Sequence, residues 1–244
     1  IRDRYIGIIL YVVFSFNNIM EKNFLFFHLV SFLTFIAFGI IIVETNKCKL
    51  SFFTKQNLFV IVFGCSLFEV ILFHLLSYYI DGDTFVFSKI DALMYFTESQ
   101  KMCKMSFEDS LNYLSKTLLF GFDDWGAFLW ITTIFRIIPS QFFLSFLHCI
   151  VGGISAIMLF DIGKLLMIRR YAFFAALTFS IASFTSLMHS VCMKETVFIC
   201  LVIASFHAFY SFLRYKKKRY LLLSLVWISA TMLSVSYTHL RAHE

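Results

Sequence analysis

Long uninterrupted apolar runs constrain the fold of this chain more than any other feature of its sequence. A bilayer admits only helices and closed barrels, and a helix needs roughly 20 apolar residues to cross it. The runs do not alternate between apolar and polar residues, so they do not predict the strands of a barrel. The chain is 60% hydrophobic, against roughly 45–50% in soluble domains, and its mean hydropathy is +0.82. We therefore expect an all-α, polytopic membrane protein. The runs cover residues 5–16, 24–43, 57–79, 126–138, 141–163, 171–188, 196–213 and 220–235.

Clusters of Lys and Arg between the runs predict the topology, because such residues accumulate in cytoplasmic loops. Basic residues occur at Arg2 and Arg4, and in the loops at residues 44–56, 164–170 and 214–219. This distribution puts the N-terminus in the cytoplasm. It also puts residues 80–140 and the short link at residues 189–195 together on the outer side.

The run at residues 126–138 is too short to span comfortably and would reverse the charge pattern if it did. We expect it to lie in the outer interface, where Trp125 and Trp130 are favourable. The predicted order is three spans, a long outer loop with interfacial helices, and four more spans, about seven transmembrane helices in all.

The formal charge of +6 lies in those short basic clusters and does not predict a nucleic-acid partner. No two of the six Cys have metal-ligand spacing. We expect one transmembrane domain over residues 1–235. Residues 236–244 break abruptly from the apolar run before them and are expected to be a non-native or disordered tail. Since the chain begins with Ile and its last run is short, we expect it to be a piece of a longer protein.

Carboxylates are concentrated in the outer loop. Residues 80–140 hold eight of the 15 Asp and Glu of the chain. At helical spacing Asp91, Tyr95 and Glu98 share one face. Such a carboxylate can act as a general base or hold a metal bound to a phosphate. The alternative interpretation is that these residues form an amphipathic helix whose charged side chains simply face water. Asp124, next to another Asp, can cap the interfacial helix or help to hold a divalent cation.

Lys194 and Glu195 are expected at the outer mouth of a span, in the same compartment as Asp91. A lysine suits a phosphate and a glutamate suits an acceptor hydroxyl or a metal, although such a pair can simply anchor a helix end. Glu69 and His74 fall within a predicted span, where ionisable residues are functional candidates. We rank them below the outer residues.

The element Asp-Ala-Leu-Met-Tyr at residues 91–95 resembles the Asp-Ala-x-x-Tyr element in the first outer loop of GT-C type membrane glycosyltransferases, such as protein O-mannosyltransferases and aminoarabinose transferases. The helix LHCIVGGISAIMLFDIGKLL is similar to one of that family, as is the outer dipeptide Lys194-Glu195 that opens a later helix. Three apolar runs before this loop, where that family usually has one span, are a departure.

The resemblance implies transfer of a sugar from a polyprenyl-phosphate donor to an acceptor hydroxyl of a glycan, lipid or protein at the outer membrane face, in cell-envelope polysaccharide biosynthesis. It implies Asp91 as the base, Lys194 as the contact to the lipid phosphate, and Glu195 as a catalytic residue that holds the acceptor or, with Asp91, a divalent metal ion. We also expect Tyr95 and Asp124 to contact substrate. The 34 Phe residues fit an AT-rich bacterial genome, so the expected location is the bacterial plasma membrane.

Two other functions remain open. A polysaccharide repeat-unit polymerase would share the outer loop and the lipid-linked donor, but it would be expected to carry several outer arginines, and this loop has only Arg136. A non-enzymatic transporter or membrane subunit would use broken helices and buried polar residues, for which Gly152, Gly153, Glu69 and His74 are the candidates.

Overall fold

A computed structural model describes residues 36, 39–41, 44, 48–81, 91–117, 125–182, 188–191 and 193–232. The regular structure of these residues is helical, with no strand, as the all-α prediction requires. A short 3₁₀ turn at Leu50–Phe52 precedes eight α-helices: α1 (Lys55–Asp81), α2 (Asp91–Met102), α3 (Phe107–Thr117), α4 (Trp125–Phe135), α5 (Gln141–Leu166), α6 (Arg169–Ser180), α7 (Glu195–Tyr215) and α8 (Lys218–Met232).

Three of the described helices are long and apolar enough to cross a membrane. They cover Lys55–Tyr79 in α1, Gln141–Leu166 in α5 and Glu195–Tyr215 in α7. Each contains one of the apolar runs of the sequence, since a continuous apolar stretch of this length has its lowest free energy as a membrane-buried helix. The first two predicted runs, at residues 5–16 and 24–43, lie almost entirely outside the described residues.

A short apolar helix, α4, covers Trp125–Phe135, where the sequence predicts an interfacial helix; its place in the interface stays a prediction. Its 11 residues are about 16 Å long, roughly half of what a span needs. One face of α4 is buried, because the helix packs against α2. Helix α3 was not predicted. Its start follows from Ser106, whose hydroxyl accepts a hydrogen bond from the backbone N–H of Asp109 at 3.0 Å and donates to the Asp109 carboxylate at 2.7 Å.

Helix α6 is shorter than the run that predicted it, and α8 ends at the last described residue. Helix α6 has 12 residues and ends at Ser180, where the N–H of Ile181 bonds the Leu177 carbonyl, whereas the run continues to residue 188. Helix α8 has 15 residues. Neither reaches the length of a full span among the described residues.

Helix α5 is at the centre of the packing, since it contacts α1, α6 and α7, and α7 in turn packs against α8. Helices α1 and α5 are antiparallel: Lys55 at the start of α1 pairs with Asp161 near the end of α5, and His74 reaches Ser145 near its start. Helices α5 and α7 are parallel, because His207 lies 3.6 Å from the same Asp161 carboxylate. Helices α2 and α4 share a buried apolar cluster with Leu144, near the start of α5, so they lie at the end of the bundle opposite Asp161.

Candidate functional site

An apolar cluster at one end of the bundle joins the parts of the chain that carry the predicted site residues. We call it the outer cluster. Its buried members are Ala92, Tyr95, Met102, Leu114, Ala127, Phe128, Ile131, Ile134, Phe135 and Leu144, with Met193 among the half-buried residues packed against it. Ala92 follows Asp91 directly, and Met193 precedes Lys194. The outer cluster therefore brings the beginning of α2 and the beginning of α7 into one packed unit, although about 100 residues separate them in the sequence.

Four of the five predicted site residues belong to the described part of the chain. Asp91 is the first residue of α2, and its side chain is not among the described side chains. Lys194 caps the N-terminus of α7 and Glu195 is its first residue, and both side chains are half-buried. The positive end of the helix dipole at this point favours a carboxylate or a bound phosphate. Asp124 lies outside the described residues.

Tyr95 is a packing residue in this structure. Its side chain is 3% exposed, and its ring centroid lies 5.0 Å from that of Phe128 in α4. An aromatic pair in this geometry contributes to stability beyond the burial of its area. Tyr95 thus fixes α2, and with it Asp91, against α4. The predicted contact between Tyr95 and substrate stays a prediction.

Glu98, which the sequence places on the face of Asp91, holds α2 to α3. Its carboxylate accepts hydrogen bonds from Lys101 and Tyr113, both at 2.6 Å. Burial raises the pKa of Glu98, but the two hydrogen bonds and the Lys101 charge outweigh it and hold the pKa below its ordinary value. Arg136 makes a similar link, because it donates to the Met105 carbonyl at 3.1 Å and to the Ser110 hydroxyl at 3.2 Å.

The link before α7 packs beside the first half of α5. It was expected on the outer side, with Lys194 and Glu195 at the mouth of a span, and that position stays a prediction. In the structure the Ser145 hydroxyl donates to the Ser190 carbonyl at 3.2 Å, and the His189 ring lies directly against Gly152. Ser145 and Gly152 belong to the first half of α5, so the link runs beside that half, and Lys194-Glu195 follows it into α7.

His189 has a defined chemical state in this arrangement. Its Nδ1 lies 3.1 Å from the Thr196 hydroxyl oxygen, and that hydroxyl donates its own hydrogen to the Met188 carbonyl at 3.1 Å. Because the hydroxyl has only one hydrogen, Nδ1 must be the donor to it, which leaves Nε2 of the neutral ring with a free lone pair. Burial lowers the pKa of His189 from 6.5 to about 4. The ring is therefore neutral at physiological pH, with an acceptor nitrogen facing α5.

Further polar groups lie between the helices, and we call them the buried polar cluster: the buried Glu69 and the half-buried His74 of α1, the buried Ser145 and His148 of α5, and His189 with Ser190. His148 is fully buried, and neither ring nitrogen has a hydrogen-bond partner among the described residues. Sequence reasoning ranked Glu69 and His74 below the outer residues and gave His148 no role. The structure places all three on the packed pair of helices α1 and α5.

A metal site is not evident in the described part of the chain. Within it, no group of three or more His, Cys, Asp and Glu is arranged to hold a metal ion. Glu195 offers a single carboxylate, and the side chains of Asp91 and Asp124 are not described. The expected divalent metal ion therefore stays a prediction.

Comparison of the chain with protein-family models, with curated proteins and with solved structures gave no match. The function must therefore be inferred from the chemistry of its own residues.

Proposed function

We propose that this chain is part of a membrane glycosyltransferase that moves a sugar from a polyprenyl-phosphate donor to an acceptor hydroxyl at the outer membrane face. The observation that supports the proposal is the outer cluster. It contains Ala92, next to the proposed base Asp91, and it is packed by Met193, next to the proposed phosphate contact Lys194. Two polar elements of the resemblance, distant in sequence, are thereby attached to one apolar unit.

The finer topology is part of the proposal. We place about seven spans in one domain over residues 1–235, in a bacterial plasma membrane, with the N-terminus in the cytoplasm. Residues 80–140, including α2, α3 and α4, then lie on the outer side. The short length of α4 and its tryptophans support an interfacial position for it.

In the proposed reaction the Asp91 carboxylate takes the proton of the acceptor hydroxyl, and the hydroxyl oxygen attacks the anomeric carbon of the sugar. The bond between that carbon and the phosphate oxygen breaks, and its electron pair leaves with the lipid phosphate. The Lys194 ammonium stabilises the negative charge on the departing phosphate, and Glu195 hydrogen-bonds the acceptor. A divalent metal ion held by Asp91 and Glu195 would neutralise the same phosphate, as carboxylate-bound Mg²⁺ does in phosphate sites.

The test is transfer of radiolabelled sugar from a polyprenyl-phosphate donor in membranes that contain the full-length protein. Asp91→Asn should lower the rate by roughly 100-fold or more, as loss of a general base does. Glu195→Gln should also lower it. The matched control is Glu108→Gln, which changes an exposed carboxylate in the first turn of α3. Transfer that survives both Asp91→Asn and Glu195→Gln would contradict the proposed roles.

A second candidate, a membrane transporter, is supported by the buried polar cluster. Transporters place polar side chains at bilayer depth, and here Glu69 of α1, His148 of α5 and His189 before α7 are buried. Transport would depend on Glu69, whereas sugar transfer would depend on Asp91. Comparing Glu69→Gln with Asp91→Asn in the transfer assay separates the two functions.

Arg136 gives no support to the third candidate function, a polysaccharide polymerase. Its guanidinium is hydrogen-bonded to the α2–α3 connection and to α3, which is a packing role at the base of the outer helices. In the same labelling assay, use of a lipid-linked oligosaccharide as donor, or formation of a longer glycan as product, would nevertheless identify a polymerase.

A further inference from the structure

A second polar site lies at the end of the bundle opposite the outer cluster. Here a water-accessible cavity of about 320 Å³ opens between the first turn of α1, the last turns of α5 and α7, and the first turn of α8. We call it the inner cavity. Its side chains include Lys55, Asp161, Lys164, His207, Arg214 and Tyr215. None of them takes part in the proposed sugar transfer.

The charge of the inner cavity is positive. Asp161 pairs with Lys55 at 2.5 Å and with Lys164 at 2.8 Å, so one carboxylate faces two ammonium groups. Arg214 adds a guanidinium, which lies 5.5 Å from the Tyr215 ring. Three permanent cations against one anion leave a net charge of +2 from the Lys, Arg and Asp side chains of the cavity wall. A cavity of this kind is complementary to a phosphate group.

The position of the cavity indicates that the phosphate belongs to a lipid headgroup. It lies at the ends of three helices long and apolar enough to cross a membrane, which is the depth of lipid headgroups. Tyrosines, which are favoured at that depth, line it at positions 210, 215 and 220. Leu165 also lines it and is 37% exposed, so an apolar surface continues from the cavity along the helices. Basic pockets between membrane helices are the sites where anionic lipid headgroups bind.

We propose that the inner cavity binds the phosphate headgroup of an anionic phospholipid, with Lys164 and Arg214 as its contacts and an acyl chain along the apolar surface beside Leu165. Lys55 stays paired with Asp161 and keeps α1 fixed to α5 at the edge of the site. On the predicted topology this is the cytoplasmic side, where anionic lipids and basic loops meet.

The experiment is a titration of the purified full-length protein in detergent, with bound lipid counted by native mass spectrometry. Phosphatidylglycerol should bind more tightly than phosphatidylcholine. The double variant Lys164→Gln/Arg214→Gln should weaken phosphatidylglycerol binding by roughly thirtyfold, from two basic contacts. The matched control Lys104→Gln/Lys116→Gln removes the same charge from exposed positions of the outer helices and should bind normally.

A separate variant tests the site without changing its charged residues, in case the charge variants fail to fold. Ser211→Phe fills the inner cavity without changing its charge and should also weaken binding. Equal affinity for the two lipids, or an equal loss in the Lys104/Lys116 control, would overturn the proposal. Inorganic phosphate that binds as tightly as phosphatidylglycerol would also overturn it, because the site would then serve a soluble anion.

Discussion

Replacing Gly152 by Ala is the most direct test of the way the link before α7 packs on α5. A Cβ at this position would lie 2.5 Å from His189 Nε2 and 3.0 Å from His189 Cε1. Ordinary contacts of this kind are about 3.4 Å or longer, so the imidazole must move by about 1 Å. It has little freedom to do so, because it is 1% exposed and bound to Thr196.

Overpacking of this kind costs roughly 1–3 kcal/mol. For a chain of this length the midpoint of thermal unfolding should fall by about 2–4 °C for each kcal/mol. We therefore expect Gly152→Ala to unfold roughly 2–12 °C below the wild type, measured by differential scanning fluorimetry of detergent-solubilised protein. Gly64→Ala is the matched control, because its Cβ would meet nothing within 4 Å and the substitution also removes a helical glycine. Its midpoint should not fall.

The double variant Gly152→Ala/His189→Ala identifies the contact responsible. His189→Ala alone should destabilise the protein by leaving a void, but it also makes room for the new methyl group. The two changes together should therefore destabilise less than the sum of the single changes, with a coupling of about 1 kcal/mol or more. Additive effects, or a Gly152→Ala midpoint equal to that of Gly64→Ala, would refute the packing described here.

Three further predictions concern ionisable and polar contacts. Because the pKa of His189 is lowered to about 4, the unfolded chain takes up a proton below pH 6.5 that the folded chain resists. The contribution of this group to stability should be full above pH 6.5 and fall by up to about 3 kcal/mol between pH 6.5 and 4, so the unfolding midpoint of His189→Gln should depend less steeply on pH than that of the wild type. Tyr113→Phe removes a hydrogen bond to Glu98 and should lower the free energy of unfolding by about 1 kcal/mol, measured by thermal unfolding. The double variant Tyr113→Phe/Glu98→Gln should be no less stable than Glu98→Gln alone. Asp161→Asn leaves Lys164 without its carboxylate partner and should lower the midpoint by a few degrees at low salt, with a smaller difference at high salt; an unchanged midpoint at both salt concentrations would contradict a stabilising role.

The helices that depend on long apolar runs were predicted well. The run at residues 196–213 became α7, Glu195–Tyr215, and the run at residues 141–163 became α5, Gln141–Leu166. The run at residues 126–138 contains most of α4, Trp125–Phe135, which differs from it by one residue at its start and three at its end, and its interfacial position stays a prediction. In each case a local property, continuous hydrophobicity, decides the structure.

Contacts between distant segments were not predictable in the same way. Gly152 of α5 and His189 before α7 are far apart in the sequence but meet in the structure, and no local pattern predicts that contact. The polar character of Glu69 and His74 was visible in the sequence, but the histidines that join them were not recognised as a group. Isolated buried histidines are common, and only their common position in the packed bundle distinguishes these from ordinary core residues.

The burial of Glu69 between helices has a consequence for the synthesis of the protein. The side chain is 2% exposed in the finished bundle, in which α1 packs against α5. When α1 leaves the ribosome, α5 has not yet been made, and an ionisable group in a lone helix at bilayer depth costs roughly 2.5–3.5 kcal/mol. Helix α1 should therefore stay beside the insertion machinery until α5 arrives, so that the two antiparallel helices enter the lipid as a pair.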